Sequence, residues 1–103
     1  MTTTTLFSLR DRLAACGVAD LPEHSNGAWL YQSPANAERI MVACAIEWLE
    51  KWNPLLDLVI MPRGSQYRAA LDDGSDWCRE GEGPTRLSAL VALVEAVKED
   101  DDA

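Results

Sequence analysis

Histidine is scarce in this chain, and positive charge is scarce beside negative. It holds one histidine, His24, and nine Lys/Arg against 17 Asp/Glu, a formal net charge of −8. A shortage of basic residues excludes sequence-independent binding to nucleic acid, which needs a positive surface. It also argues against anionic membranes. With one histidine, in a segment that reads as a loop, and no Gly-x-Ser-x-Gly elbow, nothing marks a nucleophile and its base. The three cysteines, Cys16, Cys44 and Cys78, are odd in number and widely spaced, which is neither a disulfide framework nor a zinc signature. Each has apolar neighbours, so buried reduced thiols are expected. No apolar run is long enough to span a bilayer, and the longest is broken by Ser88 and Glu95. The opening Met-Thr-Thr-Thr-Thr lacks the basic start and apolar core of a signal peptide, so a cytoplasmic location is expected.

What is present suits one globular domain. The chain has 103 residues, 48% of them hydrophobic, enough for a core of modest stability. Residues 1–98 read as a single α+β domain and residues 99–103 as a frayed acidic tail. The organising stretch is 84–98, a helix whose residues Leu87, Leu90, Val91, Val94 and Val97 follow the three/four spacing of one side. Ala89, Leu93 and Ala96 widen that face, leaving Ser88, Glu95 and Lys98 for solvent. Pro84 sits where a first helical turn needs no backbone donor.

Upstream, Thr5 is a suitable N-cap for a first helix over 6–16, with Gly17 as its stop and Leu6, Leu9 and Leu13 facing inward. Residues 28–32 are ambiguous, either a short strand or an extended lead-in. Ser33-Pro34 opens a second helix that Asn53-Pro54 ends, so it spans 34–52. Its stripe is Ala37, Met41, Cys44, Trp48 and Trp52, with Ile40, Ala45 and Leu49 beside it. Residues 55–61, rich in branched side chains, read as a buried strand. After the turn at 62–65, residues 66–72 alternate Tyr67, Ala69 and Leu71 against Arg68 and Ala70. Asp73-Gly74 is a tight-turn signal, residues 75–80 a third strand, and Gly81-Glu82-Gly83 a flexible lead into the last helix. The expected fold is therefore a three-stranded antiparallel meander covered by helices, in the order α-(β)-α-β-β-β-α.

Helix, three strands and helix also make up double-stranded RNA binding domains, whose last helix starts with basic residues on phosphates. Here that start offers only Arg86, preceded by Glu80 and Glu82, so the function is rejected. Gly81-Glu82-Gly83 lacks the phosphate-loop patterns and puts a carboxylate where an anion would sit. No metal site or cofactor is expected. A carboxylate pair of the glycosidase kind needs only two acids, but turn aspartates have a structural purpose of their own. What remains is a surface. Asp72, Asp73, Asp76, Glu80 and Glu82 cluster along one hairpin and its exit, with Tyr67 and Trp77 among them. An acidic face with an aromatic anchor fits a basic protein surface or mimics a phosphate backbone. A hairpin that is acidic only for solubility is the plain alternative.

Three features carry a resemblance to a known group: the tryptophan-bearing helix over 43–52, the short strands ending near Asp76-Trp77, and the Gly-x-Gly-Pro-Thr step at 81–85 into an alanine/leucine helix. Over roughly residues 28–98 the chain resembles small phage-encoded proteins of the phage ABA sandwich domain group. The resemblance transfers no catalytic residue. It implies a phage or prophage accessory protein, similar to counter-defence inhibitors such as anti-CRISPR proteins, acting in a bacterial host cell. The expected function is a non-enzymatic inhibitor that binds a basic surface of a host protein or nucleoprotein complex, without direct contact to nucleic acid or membrane. The alternative is a structural or assembly accessory that self-associates through the Trp48/Trp52 side or the hairpin edge. A third is a small ligand-binding or enzymatic module.

Overall fold

A computed structural model describes residues 3–21, 34–52, 57–72 and 78–102. Among the described residues are three helices, α1 (Thr3–Ala15), α2 (Pro34–Trp52) and α3 (Arg86–Asp102), and three strands, β1 (Asp57–Arg63), β2 (Gln66–Asp72) and β3 (Cys78–Gly83). The fold is α+β, with an antiparallel meander in the order β1-β2-β3. The ambiguous segment at 28–32, His24, and the Asp73-Gly74 turn lie outside the described residues. No helix among the described residues is long and apolar enough to cross a membrane.

Gly17 ends α1 as its position suggests. Its φ of 87° lies in the left-handed region, where a side chain is strained. The Gly17 N–H donates to the Ala14 carbonyl (3.0 Å) and the Val18 N–H to that of Leu13 (3.1 Å). This pair of bonds is a Schellman cap, and both Leu13 and Val18 are buried as its apolar contact. Leu6 and Leu9 complete the buried side of α1. The helix begins at Thr3 rather than Leu6, so Thr5 lies inside its first turn and does not cap it.

In α2 the buried line is Ala37, Met41, Ala45 and Leu49, an i, i+4 row. Cys44, Trp48 and Trp52, expected at its centre, flank it half-buried. Ile40 falls on the outer side and is 40% exposed.

The first hairpin is tighter than the proline suggested. β1 runs through Pro62 and Arg63, which pair with Tyr67 and Gln66. The loop is Gly64-Ser65 alone. Gly64 has φ of 63° and Ser65 does not share it, as in a type II′ turn with glycine first. Proline is tolerated because β1 is an edge strand. The third strand also shifts. Gly81-Glu82-Gly83, read as a flexible lead, pairs residue by residue with Ala69, Arg68 and Tyr67. The reason lies in the helix above it. A Cβ at Gly81 would stand 2.6 Å from the Ala89 carbonyl oxygen and 2.7 Å from the Ala92 carbonyl carbon, and closer still to the Leu93 nitrogen. Glycine here lets the backbone of α3 rest directly on the strand.

That helix is the middle layer. It packs on β3 and β2 with one side and on α1 and α2 with the other. Leu87, Ala89, Leu90, Val91, Leu93, Val94 and Val97 are accordingly all at 0% exposure. Its first residue is Arg86, two beyond the expected start, because Thr85 is the N-cap. Thr85 Oγ1 accepts from the Ser88 N–H (3.1 Å) and Ser88 Oγ accepts from the Thr85 N–H (2.9 Å). Serine thus fills the reciprocal place of a capping box and is half-buried rather than left to solvent. Glu95, also expected in solvent, takes Arg12 of α1 in a forked ion pair, with Arg12 Nε 3.1 Å from both carboxylate oxygens. That hydrogen bond raises the Arg12 pKa against the smaller opposing effect of burial. At its far end α3 continues to Asp102, since no proline or glycine stops it after Lys98.

Candidate functional site: the outer face of the sheet

Strand alternation and register sort the sheet into two faces. Leu58, Ile60, Tyr67, Ala69, Leu71, Arg79, Gly81 and Gly83 share the face toward α3. Val59, Met61, Arg63, Arg68, Ala70, Glu80 and Glu82 share the other. Among the described residues no helix covers that outer face. Val59 and Met61 are 40% and 42% exposed there.

Glu80 and Glu82 stand on this face two residues apart, so their carboxylates share a side of β3. Each meets an arginine. Arg68 reaches diagonally to Glu80, while Arg63 reaches past β2 to Glu82 at 3.1 Å. The Arg63–Glu82 pair is well exposed, at 63% and 44%, and contributes about 0–1 kcal/mol at most. Its effect is on shape and charge. The face is a patchwork of alternating sign with an apolar stripe on β1.

Of the expected contact residues, the structure brings Glu80 and Glu82 together on one face. Asp72 closes β2 at the far end of the same sheet, in register with Asp57 and Cys78. Tyr67 does not join them. It belongs to the inner face, half-buried, with the Arg86 guanidinium 5.6 Å from its ring centroid. Of the two aromatics expected among the acids, Tyr67 is therefore turned away from Glu80 and Glu82. Asp73, Asp76 and Trp77 lie outside the described residues. Arg63, Arg68, Val59 and Met61 were not anticipated. Their signal was period-two spacing along β1 and β2, once β1 is extended through Pro62.

Two other places bring aromatic, charged or thiol side chains together. Arg79, on the inner face opposite Leu71, lays its guanidinium 4.7 Å from the centroid of Trp52. This cation–π contact ties β3 to the end of α2. A cleft of about 120 Å³ lies between the α1 cap and α2, lined by Gly17, Ala19, Asp20, Cys44, Glu47, Trp48 and Lys51. Asp20 has φ of 64°, and its carbonyl accepts from the Cys44 thiol at 3.6 Å. Burial, then the charges of Asp20 and Glu47, raise the Cys44 pKa. Alkylation of Cys44 should therefore be slower than that of a free thiol near neutral pH. Its rate should still be climbing at pH values where a free thiol has levelled off, as peptide-mapped iodoacetamide labelling would read. Cys16 is buried and Cys44 is half-buried. Among the described residues no group of three or more His, Cys, Asp or Glu forms a metal-ligand set.

No family model matches the chain, and no curated protein or solved structure is detectably similar to it.

Proposed function

We propose that this protein is a non-enzymatic inhibitor that docks the outer face of its sheet on a basic surface of a nucleic-acid-handling complex in a bacterial host. The observation that supports it is the row of Glu80 and Glu82 on an uncovered sheet face, in a chain of net charge −8. Residues two apart on a strand have Cα atoms roughly 7 Å apart, close to the spacing of successive phosphates along one nucleic-acid strand. Arg63 and Arg68 hold the two carboxylates extended over the sheet. A basic partner replaces those arginines, and the long-range negative field steers its approach. Val59 and Met61 supply the apolar area beside the charges.

The arginines make the reading testable. In pull-downs of the tagged protein from bacterial lysate, a defined nuclease or nucleoprotein complex should be retained at low salt and released at moderate salt. Glu80→Lys with Glu82→Lys should weaken retention about tenfold or more, a loss of about 1.4 kcal/mol. Arg63→Gln with Arg68→Gln should strengthen it, because the carboxylates are freed. Equal retention of wild type and both variants would sink the docking face. Self-association with no partner at either salt would replace this reading with that of an assembly accessory.

A further inference from the structure

From the sequence and register of β1 we infer that this strand is a self-complementary edge, on which two copies of the chain pair antiparallel about a two-fold axis through Ile60. The inference rests on the edge of β1 and not on the inhibitor reading, although it shares Val59, Met61 and Arg63 with that face, and Arg63 would leave or share its exposed pair with Glu82. β1 is an edge among the described residues, and from Leu58 to Pro62 it carries no charge. Edges exposed in this way are usually interrupted by a charge. Here the charges stand only at the two ends, Asp57 and Arg63, and they are of opposite sign.

Antiparallel pairing of the strand with itself, centred on Ile60, sets Asp57 opposite Arg63 of the second copy. It sets Val59 opposite Met61 and Leu58 opposite Pro62. Both charged ends are then matched with opposite sign, and the two exposed apolar side chains, Val59 and Met61, meet across the axis on one face. A shift by two residues in either direction loses the charge match. Isologous contacts of this kind are closed by their symmetry.

The backbone is set for the same axis. A two-residue hairpin loop makes its flanking pair, Arg63 and Gln66, a hydrogen-bonded pair. Alternation then directs the peptide groups of Met61 and Val59 toward β2 and those of Leu58, Ile60 and Pro62 outward. Ile60 in one copy exchanges both bonds with Ile60 in the other. The Leu58 N–H donates to the Pro62 carbonyl of the second copy. Pro62 has no N–H to return, so the ladder stops there and does not extend past the turn. The product is a six-stranded antiparallel sheet with β3 at each end.

The test is sedimentation of the full chain over a concentration series reaching the sub-millimolar range. Wild type should pass from monomer to dimer. Asp57→Arg alone and Arg63→Asp alone each place like charges opposite one another in a homodimer, and each should stay monomeric. Mixed in equal amounts they should dimerise again, since both contacts become opposite in sign. A wild type that stays monomeric throughout would overturn the inference, as would single variants that dimerise normally or a mixture that does not recover. Hydrogen exchange of the unmodified chain gives a second reading that no folding defect can imitate. The Leu58 and Ile60 amides should become protected as concentration rises, while those of Val59 and Met61, held by β2, are protected throughout. Leu58 and Ile60 amides that exchange alike at all concentrations would exclude the pairing.

Discussion

Replacing Gly81 by alanine is expected to lower stability by about 3 kcal/mol or more, the upper end of what overpacking costs. The added Cβ meets only main-chain atoms of α3. It would lie 2.6 Å from the Ala89 oxygen and 2.7 Å from the Ala92 carbonyl carbon. No rotamer change relieves a clash with backbone, so helix and strand must separate along their contact. That separation opens the layer under Leu90, Leu93 and Val94, all fully buried. For a chain of this size such a loss lowers the melting temperature by about 12 °C or more. It removes a large part of the roughly 5–15 kcal/mol that holds a domain together. Gly83 provides the internal comparison. A Cβ there first meets the side chain of Ser88 and only then, at 3.0 Å, the Ala89 nitrogen. A side chain gives way more cheaply than a helix backbone, so Gly83→Ala should cost less, and part of its cost should be loss of the Thr85–Ser88 cap. Urea unfolding followed by tryptophan fluorescence ranks the two. A wild-type midpoint for Gly81→Ala would mean that α3 does not lie on β3 as described.

The same two glycines show where sequence reasoning reached and where it stopped. The second helix was legible to the residue, 34–52, because Ser33-Pro34 and Asn53-Pro54 punctuate both ends. The second strand was legible through its alternation, and the register confirms Tyr67, Ala69 and Leu71 on one face with Arg68 and Ala70 on the other. Gly81 and Gly83 read as loop because glycine weakens an isolated strand. Their role depends on a surface the strand does not contain, the main chain of a helix that starts three residues later. Proline misled in the same way at 62, where being at an edge makes it harmless. Both misreadings came from intrinsic propensity yielding to tertiary position: the glycines hid the far half of β3, and the proline hid the extended β1 and thereby Arg63.

For the candidate site, grouping acids by sequence proximity captured Glu80 and Glu82, which share parity on β3. It failed for Tyr67, whose face is fixed by its pairing with Pro62 and Gly83 and not by its distance along the chain. The partner arginines were invisible because ion pairs across strands are a property of register. The charge sum, −8, likewise could not show that these two carboxylates each stand beside an arginine.

Truncating Leu90 to alanine should destabilise the protein by about 3 kcal/mol, within the range of about 2–5 found for buried leucines. The size follows from where α3 sits. A helix on the surface of a two-layer domain can tilt toward a cavity on its buried side. Here α3 has the sheet on one side and α1 with α2 on the other, and Leu90 has 0% exposure between Leu87, Val94 and Val97, which are equally buried. Collapse toward the vacancy from one layer draws the helix off the other, and the Gly81 contact leaves it no slack. Leu90→Met, which keeps volume, should cost less than about 1.5 kcal/mol. Both variants leave the outer sheet face unchanged, so the alanine variant, held below its unfolding transition, should retain any partner that wild type retains. Chemical denaturation of the three proteins decides it. A loss for Leu90→Ala within the roughly 0.5 kcal/mol typical of surface positions would show that α3 is a cover on the sheet and not the layer between sheet and helices.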